Sequence, residues 1–213
     1  MRVDRVTLKE LRMIGDAFAN YEYADGESGL AGICKGPKAV SDFIFLFSVG
    51  AYKSHMLYTT SSKHEAFLAM ARYDAKLPPL FIRYSIGSFL KSVDLMAVLK
   101  RLIRFPKFGR SYEDMLKKHK VPYIQVMMVA VTEPYQGQGY LRKLLEIAFE
   151  EGRKHNMPVY LNTDAKLKRD KYVHLGMKCV NEQRFSDDVI LYDLVYEPDT
   201  LPKKWRSERV LEK

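Results

Sequence analysis

The sequence predicts a mixed α+β (α/β) domain organised around one βαβ unit, and three observations carry that expectation. Ile124–Val131 is almost wholly apolar and valine-rich, as a strand covered on both faces should be, and Glu133-Pro134 stops it. After Gly137 and Gly139, the apolar residues Leu141, Leu144, Leu145, Ala148 and Phe149 recur at helical spacing. Pro158–Thr163 then reads as a second buried strand, so the two strands should run parallel through a right-handed crossover.

Before this unit, Val3–Thr7 alternates like a short strand. Thr7 or Asp4 is placed to cap a helix with apolar positions Leu8, Leu11, Ile14, Phe18 and Tyr21. Asp25–Gly29 is a polar loop, and Val40–Tyr52 a buried helix with Ser41-Asp42 as its start signal. Met56–Thr60 and Glu65–Tyr73 form an antiparallel hairpin. Pro78-Pro79 marks a boundary. Beyond it Leu90, Val93, Met96, Ala97, Val98, Leu99, Leu102 and Ile103 make the stripe of one amphipathic helix, broken by Pro106 and Gly109 and followed by a short helix over 112–119.

After Thr163, 165–175 is helix-permissive with Gly176 just past its end, and Met177–Phe185 and Val189–Tyr196 are two more strands. The expectation is one domain over 1–198, with a helical insertion near 78–120, and a charged C-terminal tail over 199–213 anchored by Trp205.

With 213 residues, 47% of them hydrophobic, the chain has enough apolar material for a core. No apolar run reaches the roughly 18 residues of a spanning helix, and MRVDRVTLKE lacks the apolar centre of a signal peptide, so a cytoplasmic protein is expected. Cys34 and Cys179 are read as buried reduced thiols, and the five scattered histidines argue against a structural metal.

The net charge of +9 points to an acidic partner, whether a phosphorylated cofactor, a nucleic acid or an anionic surface. Lys100, Arg101, Arg104, Lys107, Arg110, Lys117, Lys118 and Lys120 concentrate it against only Glu113 and Asp114. This run is read as a solvated face or a basic lid over an anionic ligand. A membrane-interfacial helix is disfavoured, because the charges spread beyond one clean face.

A strand feeding a glycine loop that opens a helix gathers free backbone N–H groups and the helix dipole at one point, which is an anion site. No Lys-Ser/Thr follows Gly139, which excludes a Walker loop, and Arg142 stands where a dinucleotide fingerprint needs its third glycine. The pattern Q/R-x-x-G-x-G/A fits better, matched by 136–141 except at its last position. Together with VMMVAV before it, VYLNT after it, and Tyr172, Gly176 and Met177 in KYVHLGM, it resembles the acyl-CoA loop region of the GNAT superfamily of N-acetyltransferases. The resemblance runs from about Tyr123 to Tyr196, roughly a third of the chain.

The resemblance implies a central mixed, mostly antiparallel sheet splayed around acyl-CoA, with helices on both faces. It implies an acetyl transfer from acetyl-CoA, the co-substrate, to a primary amine. Val129, Ala130 and Val131 would hold the pantetheine; the amides of Gln136, Gly137, Gln138, Gly139, Tyr140, Leu141 and Arg142 would hold the pyrophosphate; Tyr172 would be the general acid at the leaving sulfur. Two residues depart from the pattern: Leu141 where a small residue is usual, and Ala165 in place of an asparagine that contacts the cofactor.

Other readings stay open. Tyr172 also suits an ordinary surface-to-core tyrosine. Glu133 is a turn residue or a base acting through water, and Asp164 a helix cap or a group that orients or deprotonates the amine, so no base is assigned. The insertion is a substrate-shaping lid or an oligomer contact, which leaves a homodimer open. A reading from a different class is a non-catalytic module holding nucleic acid or an acidic protein on its 100–120 face; a nucleic-acid partner is the less favoured.

Overall fold

The computed structural model describes residues 1–23, 26–73, 76–104 and 110–211, with the backbone alone at 101, 102, 104 and 209. Its sheet has six strands among these residues: β1 (Leu57–Thr59), β2 (Ala66–Arg72), β3 (Ile124–Val131), β4 (Val159–Thr163), β5 (Lys178–Arg184) and β6 (Ile190–Tyr196). Their order is β1-β2-β3-β4-β6-β5, and only the β3–β4 pair is parallel.

That pair joins only at Ile124 with Val159 and Gln125 with Tyr160, after which the two strands part. A bulge helps to separate them. Opposite Ala69 and Met70 the register of β3 skips from Met128 to Val126, leaving Met127 unopposed. As a result Ile124 and Val126 pack on one face of the sheet, Met128 and Ala130 on the other.

Helices cover both faces. α6 (Tyr140–His155) buries Leu144, Leu145, Ala148 and Phe149 against β2, β3 and β4. On the opposite face lie α1 (Leu8–Ala19) and α2 (Pro37–Lys53). They cross closely at Gly15, where an added Cβ would stand 2.4 Å from the Ser41 carbonyl oxygen.

The Ser41-Asp42 pair does not start α2. Gly36, at φ 92°, is the N-cap and Pro37 opens the helix with its φ already set. Ser41 and Asp42 lie one turn inside, where the Ser41 hydroxyl donates to Asp16 (2.6 Å) and Asp42 accepts from Arg12 (2.7 Å). The expected 3–7 strand shrinks to a bridge between Arg2 and Tyr58.

Thr7 is the cap of α1, in a capping box with Glu10. The same carboxylate lies 2.6 Å from His64 Nδ1 in the β1–β2 turn, so one side chain ties the helix start to the hairpin. Burial pushes the Glu10 carboxyl up, but the Thr7 hydroxyl and amide and His64 outweigh it and hold it at about 2. A carboxylate depressed in the fold contributes stability above its unfolded value near 4.5 and loses it as pH falls toward 2. The melting temperature of the native chain should therefore exceed that of Glu10→Gln by its full margin above about pH 5, and the gap should close near pH 2. A gap independent of pH across that window would contradict this account.

The single amphipathic helix expected from the 90–103 stripe is two helices. α3 (Pro79–Ser92) ends at Val93, which is buried and extended and bridges Cys34. Asp94 then accepts the amides of Met96 (3.0 Å) and Ala97 (3.1 Å), starting α4 (Leu95–Arg104). The break expected at Pro106 and Gly109, and Lys107, lie outside the described residues. α5 (Tyr112–Lys118) follows, capped by Ser111.

α7 (Lys166–His174) precedes β5, with Gly176 at φ 104° beyond its end. The tail is anchored by more than Trp205: Leu201 and Val210 are buried, the latter in α8 (Ser207–Leu211). Cys34 is buried, its thiol pushed up to about 11 by burial, whereas Cys179 is exposed on edge strand β5, correcting the expectation of two buried thiols.

Candidate active site

The parting of β3 and β4 opens a cleft that several elements line. One cavity of about 410 Å³ is bounded by Val129, Ala130 and Val131 of β3, by Gln136, Gly137, Gly139, Tyr140 and Leu141, and by Lys168, Lys171 and Tyr172 of α7. A second, of about 300 Å³, continues between the strands past Met127, Asn162 and Asp164, and shares Phe18, Val129, Lys168 and Tyr172 with the first. A third, of about 640 Å³, adjoins at Ala17, Tyr21 and Gln136 and carries Asp16, Glu22 and Glu133. No described residue of the 78–120 insertion lines any of the three.

The loop is built by its glycines. Gly137 (φ 75°) and Gly139 (φ 78°) both take the left-handed conformation that strains any residue with a Cβ. Beside either one, a Cβ would meet nothing within 4 Å, so the reason for glycine is conformation and open space. Gln138 folds back to donate to the Pro134 carbonyl at 2.9 Å, and Gln136 donates to the Val131 carbonyl at 3.3 Å. Gly139 is the N-cap of α6 and supplies no side chain to cap it. The first amides of the helix thus have no intrahelical acceptor, and they open at the cavity.

Nine of the eleven residues named from the sequence line this one cavity. Gln138, with its side chain turned to Pro134, and Arg142, exposed on the first turn of α6, are the two that do not. Leu141 is half-buried; it packs against the α6 core and also lines the cavity. Ala165 is buried and caps α7 without a side-chain bond.

Tyr172 is buried, and its hydroxyl makes no hydrogen bond among the described residues. Burial, then the negative charge of Asp164 and the neighbouring Tyr21 phenol, push its pKa above that of an ordinary tyrosine. Asp164 does not cap α7. Its carboxylate accepts from the Tyr23 hydroxyl (2.7 Å), the Leu30 amide (2.8 Å) and Lys168 Nζ (3.0 Å). Burial pushes the Asp164 carboxyl up, but Lys168, Tyr23 and Leu30 outweigh it and the net shift is downward. It is an ionised, fully engaged group that fastens the segment after α1 to the end of β4.

Around the same point stands an aromatic cage that spacing along the chain does not reveal. Lys168 Nζ lies 4.0 Å from the ring centroid of Tyr21, 5.0 Å from Tyr23 and 5.7 Å from Phe18. The one local signal was that Lys168 precedes Tyr172 by four residues and so shares its helix face. The aromatic partners come from the other end of the chain.

Among the described residues no group of histidine, cysteine or carboxylate side chains is placed to hold a metal, and no helix is long and apolar enough to cross a membrane. A scan of protein-family models finds no match. The chain is 30% identical over 107 residues to an uncharacterized N-acetyltransferase of Schizosaccharomyces pombe; the match spans 49% of this chain and 43% of that relative.

Similar solved structures include a polyamine N-acetyltransferase from Drosophila melanogaster (12% identity, TM-score 0.56, covering 91% of this chain and 98% of that one). Another is an acetyltransferase related to histone acetyltransferase HPA2, from Corynebacterium glutamicum (16%, TM-score 0.57, covering 95% and 97%). In fold, the chain is similar to these acetyltransferases.

Proposed function

We propose that the chain transfers an acetyl group from acetyl-CoA to a primary amine by direct attack of the amine on the thioester. The observation that carries this reading is that the uncapped start of α6, the β3 segment Val129–Val131 and the Tyr172 side chain all line one cavity. The residues suit the co-substrate chemically. Backbone amides at a helix N-terminus, with no side chain over them and open space beside both glycines, fit a pyrophosphate. The β3 stretch at 129–131, with Val129 and Val131 half-buried and Ala130 buried, lies beyond the last pairing with β4 and leaves main-chain groups for an amide-bearing pantetheine arm.

Acetyl-CoA supplies an activated acyl group whose leaving atom is a thiolate. Tyr172, held protonated by burial and by the neighbouring negative charge of Asp164, supplies the proton that neutralises it as the C–N bond forms and the C–S bond breaks. The proton the amine nitrogen loses passes to water, from which Tyr172 is reprotonated. Asp164, with its carboxylate already receiving three donors, positions the acceptor side of the cleft rather than acting as base.

A screen of acetyl-CoA consumption over primary amines, read as free thiol released, tests the activity. Thiol release that depends on at least one amine is expected. Absence of release across small amines, diamines, amino acids and peptide N-termini, together with salt-sensitive RNA or DNA binding, would overturn the reading in favour of a nucleic-acid module.

A further inference from the structure

The insertion leaves nine large apolar side chains uncovered. On α3, Leu80, Ile82, Ile86, Phe89 and Leu90 are 40–60% exposed, and on α4, Leu95, Met96, Leu99 and Ile103 are 49–71% exposed. Scattered exposed leucines need no explanation, but nine large apolar residues on two successive helices do. Folding accounts for the other side of each helix. α3 buries Phe81 and Ser88 toward α2, and α4 rests on the body through Val98 and the bridge of Val93 with Cys34.

Charge selects among the occupants. From residue 95 to residue 110 the sequence carries Lys100, Arg101, Arg104, Lys107 and Arg110 and no acidic residue. Lys91 and Arg83 on α3 are exposed as well. Splitting the stripe at Val93–Asp94 also changes the geometry of its charges. On α4, Leu95, Met96, Leu99 and Ile103 fall within one exposed arc at helical spacing, and Lys100 lies outside it. The separation into faces that the undivided stripe lacked is therefore present on α4.

A second copy of the chain meeting this face through a two-fold axis would set the same cations against one another. A nucleic acid would match the cations but not the apolar arc. A protein that envelops a basic helix needs it free on all sides, and α4 is docked along one. A flat, fluid surface with apolar depth and anionic headgroups satisfies both features at once.

We propose that α3 and α4 form an interfacial membrane-docking face, with the apolar residues entering the acyl boundary of a bilayer whose headgroups are anionic and the exposed Arg83, Lys91 and Lys100 lying at those headgroups. No described residue of this face lines the cleft, so the docking is separate from the acetyl transfer.

Co-sedimentation of the whole chain with vesicles tests it. The chain should sediment with vesicles of 70% phosphatidylcholine and 30% phosphatidylserine at least about tenfold more strongly than with pure phosphatidylcholine. Met96→Glu/Ile103→Glu, at two of the most exposed positions, should reduce that binding at least about tenfold. Lys100→Glu, which leaves the apolar arc intact, should reduce it about fivefold or more and make it less sensitive to salt. Three results would overturn the proposal: no sedimentation of the native chain with anionic vesicles, equal binding by Met96→Glu/Ile103→Glu, or equal binding to both vesicle types. A native dimer in solution that Met96→Glu/Ile103→Glu converts to monomer, without vesicle binding by either, would assign the face to a second copy instead. Acetyl-CoA consumption by both variants serves as the check that the fold is intact.

Discussion

Tyr172→Phe is expected to lower kcat about 100-fold while leaving the affinity for acetyl-CoA nearly unchanged, because a positioned general acid contributes at least that factor and the ring is kept. Tyr172 lines the cleft, its hydroxyl has no hydrogen-bond partner among the described residues, and burial with the adjacent Asp164 charge makes its ionisation harder. A phenol so placed remains a proton donor throughout the neutral range. Steady-state kinetics paired with a direct binding measurement separates the two effects. A variant with unchanged kcat would remove Tyr172 from the chemistry, and one that lost co-substrate affinity in proportion would assign it to binding.

The second large effect is on stability. Asp193 on β6 is fully buried, and its carboxylate accepts from the Tyr160 hydroxyl (2.7 Å), the Tyr112 amide (2.8 Å), Gln183 Nε2 (2.8 Å) and Asn181 Nδ2 (2.9 Å). These four donors come from β4, the start of α5, and β5, so one side chain on β6 joins three other elements. Asp193→Ala would leave the Tyr160 hydroxyl, the Tyr112 amide and Gln183 Nε2 facing a void, while Asn181 keeps its bond to the Arg110 carbonyl (2.9 Å). At about 1–3 kcal/mol for each buried group left unpaired, the expected loss is about 4 kcal/mol or more, a large part of an ordinary margin of roughly 5–15 kcal/mol. Asp193→Asn should also be destabilising, because its amide brings a fifth donor to a site that needs acceptors. Urea denaturation measures both; a loss below about 1 kcal/mol for Asp193→Ala would contradict the account.

The parts of this molecule that were legible in its sequence are those encoded locally. β3, the glycine loop, α6 and β4 follow from an apolar run, two glycines and a helical repeat that neighbours in the chain define by themselves. The glycines predicted a positive-φ loop, and both have positive φ. Features that depend on distant partners were not legible. The stripe from Leu90 to Ile103 is continuous in period, and its interruption at Val93 is made by Cys34, some sixty residues earlier. The cage around Lys168 draws Phe18, Tyr21 and Tyr23 from the N-terminal helix and the segment after it, and an aspartate in a strand gives no sign of the four donors that make Asp193 tenable. Even Ser41-Asp42, a plausible helix start by type, is used to bind α1, because Gly36-Pro37 opens α2 first.

The central claim, that the α6 loop and the β3 edge form an acyl-CoA site, is tested most directly by the melting temperature of the chain titrated with acetyl-CoA, beside Gly139→Val. At about 100 times the dissociation constant a bound ligand adds roughly 2.7 kcal/mol, which for a chain of this size raises the melting temperature by about 5–10 °C. The native chain should show that rise. Gly139→Val, which puts a branched side chain at φ 78° and into the open space beside the helix amides, should show little or none. No rise in the native chain at millimolar acetyl-CoA, or an equal rise in the variant, would contradict the assignment of this loop.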